Sequence, residues 1–205
     1  MAHPAEQAWL SSLKNKFPDH FRRVRVLDCG SLDINGRNIL LWNLESGITG
    51  IDLAPGKNVN IVMAIEDADW PDGHFHVVIS TECFEHNAKW REGLTNMIRM
   101  LRPGGLLIVT CATDGRVEHG TVDHSPEASP FTAKSRYYKN LTEADIRSAI
   151  DIEAFSDMAF ELNEKSHDLY FWAVKHGRLV HGCTCDDLQG VNKEQKQWMN
   201  LDAEK

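Results

Sequence analysis

Residues 22–38 read RRVRVLDCGSLDINGRN, and this stretch decides the fold. Val24 and Val26 alternate with arginines, lead into Leu27 and Asp28, and the run breaks at Gly30. Alternation of period two signals a strand, and a glycine just after it signals a tight turn. In many α/β proteins the turn after the first strand is where a nucleotide-type cofactor rests. Glycines are sparse in this turn: between Gly30 and Gly36 stand Ser31, Leu32, Asp33, Ile34 and Asn35.

Working outward, further strands are expected at Ile48–Leu53, His76–Ser80 and Leu106–Cys111, with a weaker one at Asn58–Met63. HVVIS and LLIVTC are almost wholly apolar, as parallel strands covered on both faces must be. Between them Trp90, Leu94, Met97, Ile98 and Leu101 fall on one helical face, and Pro103-Gly104-Gly105 is expected to end that helix. A strand, a crossover helix and a parallel strand form a right-handed unit. Upstream, Ala5, Trp9, Leu13 and Phe17 predict a helix over 5–17 that Pro18 stops. Downstream, LTEADIRSAI predicts a helix capped by Thr142 with Asp145 at the capping-box position, and HDLYFWAVKH predicts a late strand. The alternation gives a doubly wound α/β fold, a mostly parallel sheet with helices on both faces. One domain over residues 1–180 is expected: an N-terminal helix within 1–20, a substrate-side loop at 112–140, and a polar, peripheral tail at 181–205.

The chain has 205 residues and a formal net charge of −8, which argues against broad binding to nucleic-acid phosphates. FRRVR and KSRYYK are the local basic clusters and read as solvated faces. No apolar run approaches the roughly 18–20 residues that span a bilayer, and the N-terminal stretch has no apolar signal-like core, so a cytoplasmic location is expected. Of the five cysteines, Cys29, Cys83 and Cys111 each end an apolar run and read as small buried thiols. In the tail, His181, Cys183 and Cys185 lack the paired spacing of a zinc site.

The turn itself selects the cofactor. A dinucleotide fingerprint needs a second glycine where backbone meets pyrophosphate. Here Leu32 occupies that place and Asp33 adds negative charge, so a diphosphate is opposed by sterics and by charge. S-adenosylmethionine, with a sulfonium and no phosphate, fits better. Asp28 at the strand end faces its ammonium, Gly30 lets backbone approach, and Asp52 at the end of ITGID accepts from both ribose hydroxyls.

VLDCGS, GIDLAPG, DGHFHVVISTECFEH and MLRPGGLLIVT follow one another in the order and spacing of class I S-adenosylmethionine-dependent methyltransferases, and resemble the methyltransferase type 11 group in particular. The resemblance covers residues 22–112 and continues weakly to the strand near 170. It implies a Rossmann-like fold, S-adenosylmethionine as cofactor, and a cofactor site built from Asp28, Gly30, Ser31, Asp52, Leu53, Ile65, Glu66 and Thr81. Two features depart from the family pattern. The first motif is poor in glycine, and Ala64-Ile65 stands where the family often has Asp-Ala to read adenine. The Ile65 N–H then meets the ring, and Glu66 or Asp67 supplies the carboxylate.

Methyl transfer from a sulfonium is an in-line displacement, so the enzyme mainly aligns the reactants, with a base where the nucleophile carries a proton. Glu82, Glu85 and His86 follow the strand HVVIS. His119, Asp123 and His124 lie in the long loop, which Tyr137 and Tyr138 close. Glu82, His86 and His124 are the candidate catalytic residues. On a helix, Glu82, Glu85 and His86 share one face. The pattern E-x-x-E-H resembles one in ubiquinone-type and small-RNA O-methyltransferases, where it implies a divalent metal completed here by His119 or His124. The primary expectation assigns no metal and takes a small polar or sugar-like molecule as acceptor, at oxygen or nitrogen. The alternatives are a metal-dependent O-methyltransferase on an RNA end or a catechol-like group, and a non-catalytic binding protein of the same fold. The oligomeric state is left open by the sequence.

Overall fold

The computed structural model describes residues 4–34, 41–42 and 46–180. The second glycine of the first loop, Gly36, and the His181, Cys183 and Cys185 group lie outside the described residues.

Seven strands form one sheet: β1 (Arg25–Cys29), β2 (Gly47–Asp52), β3 (Ile61–Val62), β4 (Phe75–Thr81), β5 (Leu101–Ala112), β6 (Phe155–Asn163) and β7 (Asp168–Lys175). Their spatial order is β3-β2-β1-β4-β5-β7-β6. The pairs from β3 to β5 are parallel, and β7 runs antiparallel to both β5 and β6. Among the described residues three helices accompany the sheet: α1 (Pro4–Lys16), α2 (Trp90–Met100) and α3 (Glu143–Ser148).

Period-two alternation sorts the strand side chains between two cores. Val78 of β4, Leu107, Val109 and Cys111 of β5, and Leu169, Phe171 and Ala173 of β7 join Leu94, Met97 and Met100 of α2 and Ile146 of α3. On the other face Val77, Ile79, Leu106, Ile108, Tyr170 and Trp172 join Trp9, Leu10 and Leu13 of α1. The doubly wound arrangement with helices on both faces is therefore present. Each fully buried Leu or Phe contributes about 1.5–3 kcal/mol.

α3 carries the expected capping box, with Thr142 accepting from the Asp145 N–H while the Asp145 side chain reaches back to the Thr142 N–H. One local expectation is corrected. α2 ends at Met100, and Leu101–Gly105 is already extended as the start of β5, with a register shift between the Phe75 and Val77 pairings. The edge strand β6 went unforeseen because Ser156, Asp157, Glu161 and Leu162 are exposed and blur its alternation.

α2 also positions what lies beside the strand ends. Asn96 donates from Nδ2 to the carbonyls of Ile65 and Ala68, both at 2.8 Å. Arg99 donates to the Trp70 and Ala68 carbonyls at 2.6 and 3.0 Å. The segment that brings Ile65 and Glu66 to the sheet's carboxyl edge is thereby held without a helix of its own.

Candidate active site

The strand order reverses between β1 and β4, the place where open α/β sheets bind ligands beyond their carboxyl ends. A cavity of about 370 Å³ opens there, within the range of small-molecule sites. Asp28, Gly30, Ser31, Asp52, Leu53, Ile65, Glu66 and Thr81 all line it, together with Glu82, Cys83 and His86. Asp67 is not among the lining residues. Residues Ala128–Thr132 line its outer side.

Gly30 has a φ of +79°, and a Cβ placed there would lie 2.6 Å from the Cys83 sulfur. Its N–H donates to the Ile51 carbonyl at 2.9 Å, and Ser31 donates to the same carbonyl at 3.0 Å. Gly30→Ala combines strain and overlap, about 1–3 kcal/mol. A melting midpoint lowered by roughly 2–10 °C is expected in scanning calorimetry. An unchanged midpoint would contradict this packing.

Asp52 accepts from Leu32 N–H at 3.1 Å and Leu53 N–H at 2.7 Å, one on each carboxylate oxygen. A carboxylate offers about four acceptor positions, so capacity remains toward the cavity. Burial raises the Asp52 pKa, against the lowering effect of these backbone bonds. Leu32 fills the space beside Gly56, where a Cβ would lie 2.2 Å from its Cδ1. Among the described residues, the basic side chain lining this cavity is Lys89, and its Nζ lies 3.5 Å from Glu66. Asp28 and Asp52 make the donor set acidic, which suits an ammonium and hydroxyls and opposes a diphosphate. The residues present thus fit an S-adenosylmethionine-type ligand.

At the other end the chain leaves β4 through Glu82, whose φ of +49° is left-handed and uncommon outside glycine. Phe84–His86 is a single 3-10 turn. The helical one-face arrangement expected for Glu82, Glu85 and His86 is therefore corrected: Glu82 belongs to the strand exit and only the latter two share a turn. Long-range packing still gathers the group. Ligating atoms of Glu85, His86 and His119 all lie within 4.8 Å of one another. The His86 and His119 rings meet edge to face at 5.0 Å, and Tyr138 flanks both at 5.6 and 5.1 Å.

The electrostatics are those of buried groups. Burial, then the neighbouring Glu85 charge, raises Glu82 to about 8. Burial raises Glu85 to about 7. The Glu85 and Ala112 backbone N–H groups face this carboxyl and act in the lowering direction, against the larger effect of burial. Burial, then the charge on His119, lowers His86 to about 3, so His86 is neutral. His119 Nδ1 lies 3.1 Å from the Val117 carbonyl, which fixes the proton on Nδ1 and leaves a lone pair on Nε2. Gly120 leaves room for the His86 ring, since a Cβ there would lie 2.6 Å from His86 Cε1.

His124 takes a different place. Its Nδ1 lies 3.4 Å from Glu118, its side chain is 56% exposed, and it is not among the cavity-lining residues. His119 is the loop histidine that the fold brings beside His86. Three groups near the site were not singled out from the sequence. Arg116 donates to Asp168 at 2.7 Å and to the Ser166 carbonyl at 2.6 Å, and it lies 4.0 Å from Glu82. Asp168 is fully buried. Glu6 of α1 is fully buried as well. HDLYFWAVKH carries a charge ahead of an apolar strand, the one signal available for Asp168.

These pKa shifts give the chain a pH-dependent stability. Between the ordinary glutamate value of 4.5 and about 7–8, folded Glu82 and Glu85 hold protons that the unfolded chain has released. The folded state binds more protons, so stability falls as pH rises through that window. His86 acts with the opposite sign, between about 3 and its ordinary 6.5. Above pH 6.5 the carboxyl effect stands alone. The melting midpoint is expected to fall from pH 6.5 to 8, and to fall less in Glu82→Gln. A flat wild-type profile would contradict the buried placement.

A family model for the methyltransferase domain matches residues 27–109. No curated protein matches the sequence. Among solved structures, the 1,6-didemethyltoxoflavin-N1-methyltransferase of Burkholderia thailandensis, with 1,6-didemethyltoxoflavin and S-adenosylhomocysteine bound, is similar with a TM-score of 0.54 at 16% identity, over 86% of this chain and 92% of that one. The phosphoethanolamine N-methyltransferase 2 of Haemonchus contortus, in complex with phosphomonomethylethanolamine and S-adenosylhomocysteine, gives 0.58 at 15% identity, over 87% of this chain and 54% of that one. The CurJ carbon methyltransferase gives 0.57 at 15% identity, over 84% and 55%. At such identities the likeness speaks for the fold, and these relatives differ in acceptor atom.

Proposed function

We propose that this chain, whose residues 27–109 match a methyltransferase-domain family model, is an S-adenosylmethionine-dependent methyltransferase that methylates an oxygen or nitrogen of a small polar or sugar-like acceptor. The carrying observation is Glu82, a buried carboxyl with a pKa near 8 on the wall of the same cavity as Asp28, Gly30 and Asp52.

In this reading Asp28 and Gly30 receive the amino-acid end of the cofactor, Asp52 its ribose, and Leu53, Ile65 and Glu66 its adenine. The cofactor supplies a methyl group already activated on sulfur. The chain's own task is to orient the acceptor and to manage one proton. Glu82 accepts that proton on its carboxylate, and a pKa close to the working pH suits a base. Neutral His86 orients the acceptor as a hydrogen-bond partner. Burial around both groups excludes water.

One observation favours a second reading. Glu85, His86 and His119 offer convergent ligand atoms, all within 4.8 Å of one another. A divalent cation there would hold a catechol-like or RNA-end hydroxyl by its oxygens. Incubation with methyl-labelled S-adenosylmethionine and catechol, amino sugars, small amines and a short RNA tests both. Label in a small acceptor despite EDTA supports the first reading. Label lost with EDTA and restored by Mg²⁺ or Mn²⁺ supports the second. Absence of transfer to every small acceptor contradicts the first.

A further inference from the structure

The apolar stripe of α1 runs through positions 6, 9, 10 and 13, the spacing of one helical face, yet position 6 is a glutamate. Glu6 is fully buried where a leucine would pack more cheaply, because a carboxylate gives up its hydration to enter the protein. Its Oε1 accepts from the Thr110 hydroxyl at 2.6 Å. Thr110 is itself fully buried, at the carboxyl end of β5. A hydroxyl has one proton. With that proton committed to Glu6, the Thr110 oxygen presents its lone pairs elsewhere, and the Glu82 N–H lies 3.3 Å away. The same N–H donates to the Thr110 carbonyl at 2.9 Å.

Glu82 needs such a hold, since its left-handed backbone is sparsely populated for any residue but glycine. The neighbouring contacts tie α1 to the same place. Thr110 pairs with Tyr170 across β5 and β7, and Trp9 packs on the Tyr170 ring at 4.8 Å. Glu6 and Thr110 both lie outside the span matched by the family model.

We infer that Glu6 and Thr110 are positioning residues: the N-terminal helix reaches across the sheet end and, through the Thr110 hydroxyl, holds the backbone of Glu82 in its left-handed conformation. The catalytic importance of this clamp rests on the role proposed above for Glu82; the clamp itself does not.

Two pairs of variants test it. Glu6→Leu and Thr110→Val remove the bridge while keeping the packing. Glu6→Gln and Thr110→Ser keep an acceptor and a hydroxyl. Amide hydrogen exchange of the ¹⁵N-labelled chain with S-adenosylhomocysteine present is the readout. Exchange of the Glu82 amide is expected to rise about tenfold in the first pair and to stay within about threefold of wild type in the second, with Leu27 and Ile51 unchanged in all four. Unchanged Glu82 exchange in Glu6→Leu and Thr110→Val would overturn the inference. So would Leu27 and Ile51 rising in step with Glu82, since that marks general loosening. Should Glu6→Leu not fold, the Thr110 pair decides alone. Turnover of Glu82→Gln is measured separately: full activity there removes the catalytic reading and leaves the exchange result standing.

Discussion

Replacing Glu82 with glutamine is expected to lower methyl-transfer turnover by about 10²–10⁴-fold, the range of a positioned general base. The substitution keeps shape and burial and removes the group that accepts a proton. Glu82 lines the cavity, its side chain is only 3% exposed, and its pKa is pushed up to about 8 by burial and by Glu85. A base of this kind gains its working form as pH rises, so wild-type turnover climbs between pH 7 and about 8 and the variant loses that limb. Binding of S-adenosylhomocysteine, which has no methyl to transfer, should hold within about threefold, because the role proposed for this acid is toward the acceptor. Equal losses of turnover and of cofactor affinity would instead make Glu82 part of the binding wall.

Asp52→Ala is expected to weaken S-adenosylmethionine binding by roughly 10–100-fold, corresponding to about 1–3 kcal/mol for lost hydrogen bonds to a charged acceptor. Two losses combine. The ribose hydroxyls lose their acceptor, and the Leu32 and Leu53 N–H groups, which now donate to the two carboxylate oxygens, lose theirs. Asp52→Asn retains one oxygen acceptor and should fall between. Titration calorimetry measures both variants. Affinity equal to wild type in Asp52→Ala would remove the ribose assignment.

The legible part of the fold was its centre. The unbroken apolar runs of β4 and β5 can be nothing but covered strands, and their alternating side chains now serve two cores. β6 was illegible because an edge strand with one loosely covered face carries Ser156, Asp157 and Glu161 where alternation would be sought. The cavity wall that carries Asp28, Gly30 and Asp52 was readable for a topological reason. These residues stand at strand ends, and in a parallel sheet strand ends converge. The opposite wall depends on contacts between distant segments. Arg116 meets Asp168 across 52 positions of sequence, and Glu6 meets Thr110 across 104. Between His119 and His124 the sequence offers no choice. The bond to the Val117 carbonyl holds His119 with its ring against His86, while His124 pairs with Glu118 at the surface.

The most direct test of the central claim, that an acidic, phosphate-averse crevice binds a nucleoside bearing an amino-acid ammonium and not a diphosphate, is calorimetric titration of the chain with S-adenosylhomocysteine and, in parallel, with NAD⁺. The account predicts saturable binding of S-adenosylhomocysteine, weakened in Asp52→Ala, and no measurable heat from the dinucleotide. Saturable binding of NAD⁺ alongside silence from S-adenosylhomocysteine would contradict it.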